Sequence, residues 1–346
     1  MVLSFELRSV FCLRVGLVKK LRKSRNVKMA QLTKRILKES GFSLIELLVV
    51  ISIITLLIGF LATGIQGVKR HATNLRQKAN FHAIEVGLEL FEKDYDDYPP
   101  SRVLPDATTT TEPVVCGAQH LAEALVGRDL RGFDPESNWY APAEDETIYA
   151  SKNKESDDED VAASRARRWK LFIELKKMGA FVMHDLYDNY NKGVYSTEDP
   201  CVPDDFRAPV ITDIFRQKKV KVSYKENPEW AGSPILYYKA NSGSRLFKKV
   251  PEPSDELAGW IYNSQDNQGI IELGTVKDPE VKHYFSEEHT YTDGGQPRTG
   301  VHLFYKTITN PKVSYDKPFN AATFILISAG RDGIYGTSDD ITNFDY

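Results

Sequence analysis

An apolar run from Phe42 to Ile65, FSLIELLVVISIITLLIGFLATGI, is interrupted by one charged residue, Glu46. A helix crossing a bilayer needs roughly 20 apolar residues, so the run has the length of a membrane span. Its flanks differ in charge. Before it stand Arg8, Arg14, Lys19, Lys20, Arg22, Lys23, Arg25, Lys28, Lys34, Arg35 and Lys38, against Glu6 and Glu39. After it the charges are mixed. The excess of cations on the N-terminal side predicts that residues 1–41 stay cytoplasmic and that the chain beyond about Val68 is exported. A cleaved secretory signal fits poorly, because its apolar core is shorter and ends in a small-x-small site. A plain single-span anchor explains the length but leaves Glu46 unexplained. An unpaired carboxylate at membrane depth costs several kcal/mol, about 3 on insertion scales, so Glu46 needs a partner or a task.

The string Lys38-Glu39-Ser40-Gly41-Phe42-Ser43-Leu44-Ile45-Glu46-Leu47-Leu48-Val49-Val50 resembles the processing motif of type IV pilin-like proteins. The resemblance implies cleavage after Gly41 by a prepilin peptidase and methylation of the new amine on Phe42. It also implies assembly into a filament in which Glu46 of one subunit neutralises the Phe42 amine of its neighbour. Two charges that are costly alone become a pair when subunits stagger, which fixes register more than it adds stability. The segment before Gly41 is long for this family, and Met29 offers a shorter start. Thr63 stands where many relatives have proline.

Beyond Gly67 the pattern turns amphipathic. Leu75, Ala79, Val86 and Leu90 mark one stripe, and Ile84, Leu88, Phe91 and Tyr95 an adjacent one. A continuous helix from about Phe42 to Lys93 would be on the order of 75 Å long. Pro99 and Pro100 end it. The remainder predicts an α+β chain, one long helix followed by an antiparallel sheet with a large helical and loop insert. The expected divisions are 1–41 leader, 42–67 membrane part of the helix, 68–98 its amphipathic continuation, 99–230 insert and 231–346 β-rich part. Short helices are expected at 119–127 and 161–178, the second burying Trp169, Phe172, Ile173 and Leu175. Strands are expected at 210–215, 220–224, 235–240, 269–273, 301–307 and 322–328, with polar loops at 263–269 and 291–300. The acidic stretch 142–160 reads as a surface loop, and a carboxylate metal cluster there is the sharper alternative.

The C-terminal segment Ala329-Gly330-Arg331-Asp332-Gly333-Ile334-Tyr335-Gly336-Thr337-Ser338-Asp339-Asp340-Ile341 combines glycines with three aspartates. Carboxylates and carbonyls on a glycine-rich loop suit calcium, and an ordinary Asp/Gly turn is the alternative. The loop, together with Tyr98-Pro99 and Ser101, is similar to the major, G-type pseudopilins of type II secretion. That resemblance implies side-chain ligands from Asp332, Asp339 and Asp340 and backbone carbonyls from Ala329, Thr337 and Ile341. It also implies, as partners, further copies of the chain, the prepilin peptidase and an inner-membrane secretion platform, with the head in the periplasm. A type IV pilus subunit whose insert binds surfaces, DNA or carbohydrate is the alternative. If the head is exported, Cys116 and Cys201 form one disulfide or remain two buried thiols.

Seven histidines are scattered, and no HExxH, CxxC, Walker or GxSxG pattern occurs. No residue is therefore assigned a catalytic role. A net charge of −3 over 346 residues argues against a dedicated nucleic-acid binder.

Overall fold

The computed structural model describes residues 43–102, 115–137, 139, 159–168, 170–174, 179–187, 209–221, 227–252 and 254–344. The chain divides into two units, Met1–Val68 and Lys69–Tyr346. Within them the fold is α+β: a long N-terminal helix, then short helices and small antiparallel sheets.

Helix α1 spans Leu44–Tyr95. In the first unit its apolar side chains are exposed all round, from Leu44 to Leu61. By length and composition it can cross a membrane. Such exposure in water would be untenable, because a soluble unit rarely leaves so large an apolar surface uncovered.

In the second unit the same helix buries one stripe. Phe81, Ile84, Leu88 and Phe91 are fully or nearly fully buried, with Tyr95 packed at the edge. The neighbouring stripe behaves differently: Leu75, Val86 and Leu90 are exposed. Gly87 lies against Ile173 and Leu125, so helix α2 (Gly117–Val126) and the segment after Arg168 close over this side. The helix ends where Asp96 takes a left-handed φ of 63° and the prolines follow.

The central sheet has strand order β5 (Leu236–Lys239), β8 (Phe324–Ser328), β9 (Ile341–Thr342), all antiparallel. Period-two alternation splits its side chains between two cores. Tyr237, Phe324, Leu326 and Ile341 face the cluster built on α1 and α2. Leu236, Tyr238, Ile325 and Ile327 face a second cluster with Phe285, Phe304, Tyr305 and Tyr335. Asn343 ties the chain end to the helix, since its Nδ2 donates to Glu85 Oε1 at 3.0 Å and its Oδ1 accepts from Leu326 N at 2.8 Å.

Smaller pairings surround this sheet: β1 (Gly179–Val182) with β2 (Pro209–Thr212), β3 (Lys218–Val220) with β4 (Glu229–Ala231), and β6 (Thr290–Asp293) with β7 (Gln296–Thr299). Helix α3 (Glu159–Arg167) is held by charge. Asp134 accepts from Ser164 Oγ at 2.7 Å and from both Arg167 Nε and Nη2 at 3.2 Å. Arg168 Nη1 meets Asp129 at 2.6 Å.

Several expectations are corrected. Residues 301–307 are not a strand but lie in a helix, Gly300–Ile308. Val301, Phe304, Tyr305 and Ile308 recur at i, i+3, i+4 and i+7, a helical stripe that outweighs the local alternation. Residues 269–273 are likewise helical over Gln268–Ile271, entered through a 3₁₀ turn, Ser264–Asn267, in which Gln265 N donates to the Asn263 side chain at 3.0 Å. The expected loop 291–300 holds the β6–β7 hairpin, closed by Gly294 and Gly295, both at positive φ. The expected helix 161–178 stops at Arg167. Phe172 and Ile173 are buried beyond it, and Trp169 and Leu175 lie outside the described residues.

Candidate functional site

Two places carry the chemistry. The first is the start of α1. Ser43 precedes the helix and Glu46 sits in its first turn. The Ser43 backbone N–H donates to Glu46 Oε2 at 2.9 Å. The carboxylate thus satisfies a backbone donor at the helix N-terminus, where negative charge is also favoured by the helix dipole. The Ser-x-x-Glu spacing is a capping pattern that sequence inspection alone can detect. Gly41 and Phe42 lie outside the described residues.

Residues 36–62 match the model of the prokaryotic N-terminal methylation motif. The segment contains Gly41, Phe42 and Glu46. It is similar to type IV pilin-like subunits, which a prepilin peptidase processes and which assemble into filaments. Comparison with curated proteins and with solved structures gave no match.

The second place is the loop between β8 and β9. Gly330, Gly333 and Gly336 adopt φ of 66°, 75° and 94°, so the backbone folds back in a way other residues resist. Asp339 Oδ2 accepts from Arg331 N at 2.8 Å and Asp332 N at 3.1 Å, and Thr337 Oγ1 donates to its Oδ1. Asp332 Oδ1 accepts from Ile334 N at 2.8 Å. Asp340 Oδ2 accepts from Gly336 N at 2.8 Å, and its Oδ1 is buried without a partner. The Thr337 carbonyl receives the Asp340 N–H at 3.4 Å. Ala329 and Ile341 are buried at the two ends of the loop.

Electrostatics separate the three aspartates. Burial lifts Asp340 to about 8, against the opposing bond from Gly336, with Asp339 adding to the rise. Burial likewise raises Asp332, and the adjoining Asp339 carboxyl contributes. For Asp339 burial pushes upward, but bonds from Thr337 and from the Asp332 and Arg331 amides outweigh it and hold the group low. Among the described residues no three His, Cys, Asp or Glu side chains converge as a ready metal-holding group. The chemistry of the donors nevertheless fits a hard cation: two adjoining carboxyls and one orphaned buried carboxyl oxygen, all oxygen.

Residues that sequence reading missed support this loop. Buried Asp213 accepts from Ser328 Oγ at 2.8 Å, Phe215 N at 3.1 Å and Ser233 N at 3.2 Å. His283 receives the Tyr335 N–H on Nδ1 at 3.1 Å, while its Nε2 contacts the Gly274 carbonyl at 3.0 Å. Burial holds His283 down at about 4, so it is neutral. The Tyr335 hydroxyl donates to the Pro234 carbonyl. No local pattern marks Asp213 or His283.

Cys116 is a buried, free cysteine just before α2, its thiol pushed up to about 12 by burial. Cys201 lies outside the described residues.

Proposed function

We propose that this chain is a structural subunit of a type II secretion-like filament, a G-type pseudopilin, and not an enzyme. The methylation motif at residues 36–62 carries the reading. The uncovered apolar helix Leu44–Leu61 agrees with insertion in a membrane before assembly. In this reading a prepilin peptidase cuts after Gly41. The exposed amine of Phe42 is then neutralised by Glu46 of a neighbouring subunit. The N-terminus stays cytoplasmic until cleavage, and the head lies in the periplasm beside an inner-membrane secretion platform.

The loop Ala329–Ile341 is what favours this reading over a pilus role. Its Asp332, Asp339 and Asp340 side chains would hold calcium, with carbonyls of Ala329, Thr337 and Ile341 as further oxygen donors. Bound there, the ion would supply the positive charge that favours ionised Asp340, whose carboxyl burial raises to about 8. The chain's own residues do the rest: Asp213 holds Ser328 at the start of the loop, His283 holds Tyr335 in its middle, and the three glycines let it turn.

The test is processing. Wild type expressed with its peptidase is expected to lose the segment before Phe42, seen as a mobility shift and a methylated phenylalanine by mass spectrometry. Gly41→Ala is expected to remain full length. A Gly41→Ala chain processed like wild type would remove the basis of the proposal.

A further inference from the structure

The β3–β4 hairpin presents a face that neither the membrane helix nor the Asp/Gly loop uses. Its register pairs Lys218 with Ala231, Lys219 with Trp230 and Val220 with Glu229. Alternation then sorts the side chains. Val220 and Ala231 are buried in the core, and Lys218 Nζ turns to the Leu186 carbonyl at 3.4 Å. The opposite face carries Lys219 and Trp230. Lys219 Nζ lies 5.4 Å from the indole centroid, and Trp230 is 47% exposed. Lys221, two residues on, is also exposed, as is Arg216 just before the strand. Gln217 Nε2 donates to the Arg331 carbonyl at 3.1 Å, which sets another exposed cationic residue beside this face. The hairpin enters next to α1, since Ile214 N donates to Gln77 Oε1 at 3.1 Å.

We propose that this face, with Trp230 opposite Lys219 and Lys221 two residues further along, docks on the headgroups of an anionic phospholipid surface. An indole that is half exposed and paired across the strands with a lysine, the exposed Glu229 falling on the alternate face, suits the membrane–water boundary, where the ring lies at headgroup depth and lysine stems lie along apolar surface with their charge in the polar layer. Each lysine near an anionic surface adds attraction that salt screens. A single-stranded nucleic acid would call for a series of stacking aromatics, and this face has one. The proposal rests on the reading of Leu44–Leu61 as a membrane segment, which keeps a lipid surface at hand until assembly.

The experiment uses the full chain in lipid nanodiscs containing brominated phosphatidylcholine, alone or in equal mixture with phosphatidylglycerol. Tryptophan quenching is read as the difference between wild type and Trp230→Phe. Anionic lipid is expected to raise the Trp230-dependent quenching, and added salt to reverse it. Lys219→Gln with Lys221→Gln is expected to weaken docking roughly thirtyfold, from the surface attraction of two lysines. Equal Trp230-dependent quenching in neutral and anionic discs overturns the proposal whatever the lysine variants do. So does protection of Trp230 that appears only with added oligonucleotide, which would assign the face to nucleic acid. A chain that fails to stay in the discs overturns the membrane reading and this proposal together, whereas a chain retained but unresponsive overturns this proposal alone.

Discussion

Asp213→Asn should stabilise the head at neutral pH, by an amount that grows with pH. Asp213 is fully buried between the end of β2, the turn before β5 and the end of β8. Burial raises its carboxyl to about 8, against bonds from Ser328, Phe215 and Ser233. In the unfolded chain the group ionises near 3.8. Between these values the folded state keeps a proton that the unfolded state releases. Stability from this group is therefore complete below about pH 4 and falls as pH rises towards 8. Each unit of pH costs about 1.36 kcal/mol, so about 4 kcal/mol is lost by pH 7 as an upper bound. Asparagine is neutral in both states and escapes that loss. Its carbonyl can accept from Phe215 and Ser233, and its amide can donate to Ser328 Oγ. Imperfect geometry offsets about 1–2 kcal/mol, leaving a net gain of about 2 kcal/mol at pH 7.

The assay is urea unfolding of parent and variant with chelator present, from pH 5 to 8. Asp340, also raised to about 8, and His120 and His283, held near 4, titrate alike in both proteins. The difference between the curves isolates Asp213. It should widen by about 1.2 kcal/mol per unit around pH 7. If Asp213→Asn instead destabilises at pH 7 and leaves the slope unchanged, the three donors outweigh burial and the carboxylate is ionised in the fold.

Leu88→Ala removes a fully buried side chain between α1 and α2 and should cost about 2–5 kcal/mol, read as a lower urea midpoint at unchanged m-value. Gly330→Ala places a Cβ 2.3 Å from the Asp339 carbonyl at a φ of 66°. It should cost at least about 2 kcal/mol, with the loss visible as exchange broadening of the loop amides by NMR. On the calcium proposal, adding chelator should lower the melting temperature of the wild-type head, and calcium should restore it. Asp340→Asn should abolish that response while keeping the bond to Gly336 N, and an equal response in the variant would exclude Asp340 as a ligand.

The long helix was legible because two physical rules act on one stretch: continuous apolarity up to Ile65, then a single stripe through Ile84, Leu88 and Phe91. What the pattern could not tell was which of two adjacent stripes is covered, since Leu75, Val86 and Leu90 are as apolar as their buried neighbours. Burial there depends on where α2 and Phe172 return in space. Strands β5 and β8 were readable from their β-branched and aromatic runs. Gly300–Ile308 has the pattern of a strand because Val301, Leu303 and Tyr305 alternate as well as they spiral, and nine residues are too few to arbitrate. Helix α3 is held through Asp134, Arg167, Arg168 and Asp129, charged residues whose pairing leaves no periodic trace. The acidic loop was visible in composition, while its supports, Asp213 and His283, lie far away in sequence among ordinary residues.

Glu46 is less costly in the single chain than its place in an apolar run suggests. Its carboxylate already accepts the Ser43 N–H at the first turn of α1, a contact of the capping kind, worth about 1 kcal/mol. A carboxylate held this way can wait in a separate subunit without a cationic partner. Exchange to a neighbour's amine, as proposed above, gives up one backbone bond for a charged one, which is stronger by about twofold. Glutamine at this position keeps the acceptor but not the charge. Glu46→Gln should therefore preserve the helix start while weakening crosslinking between subunits, whereas Glu46→Ala should impair both. If the two variants crosslink as well as wild type, the cap is the whole role of Glu46 and the intersubunit pair does not form.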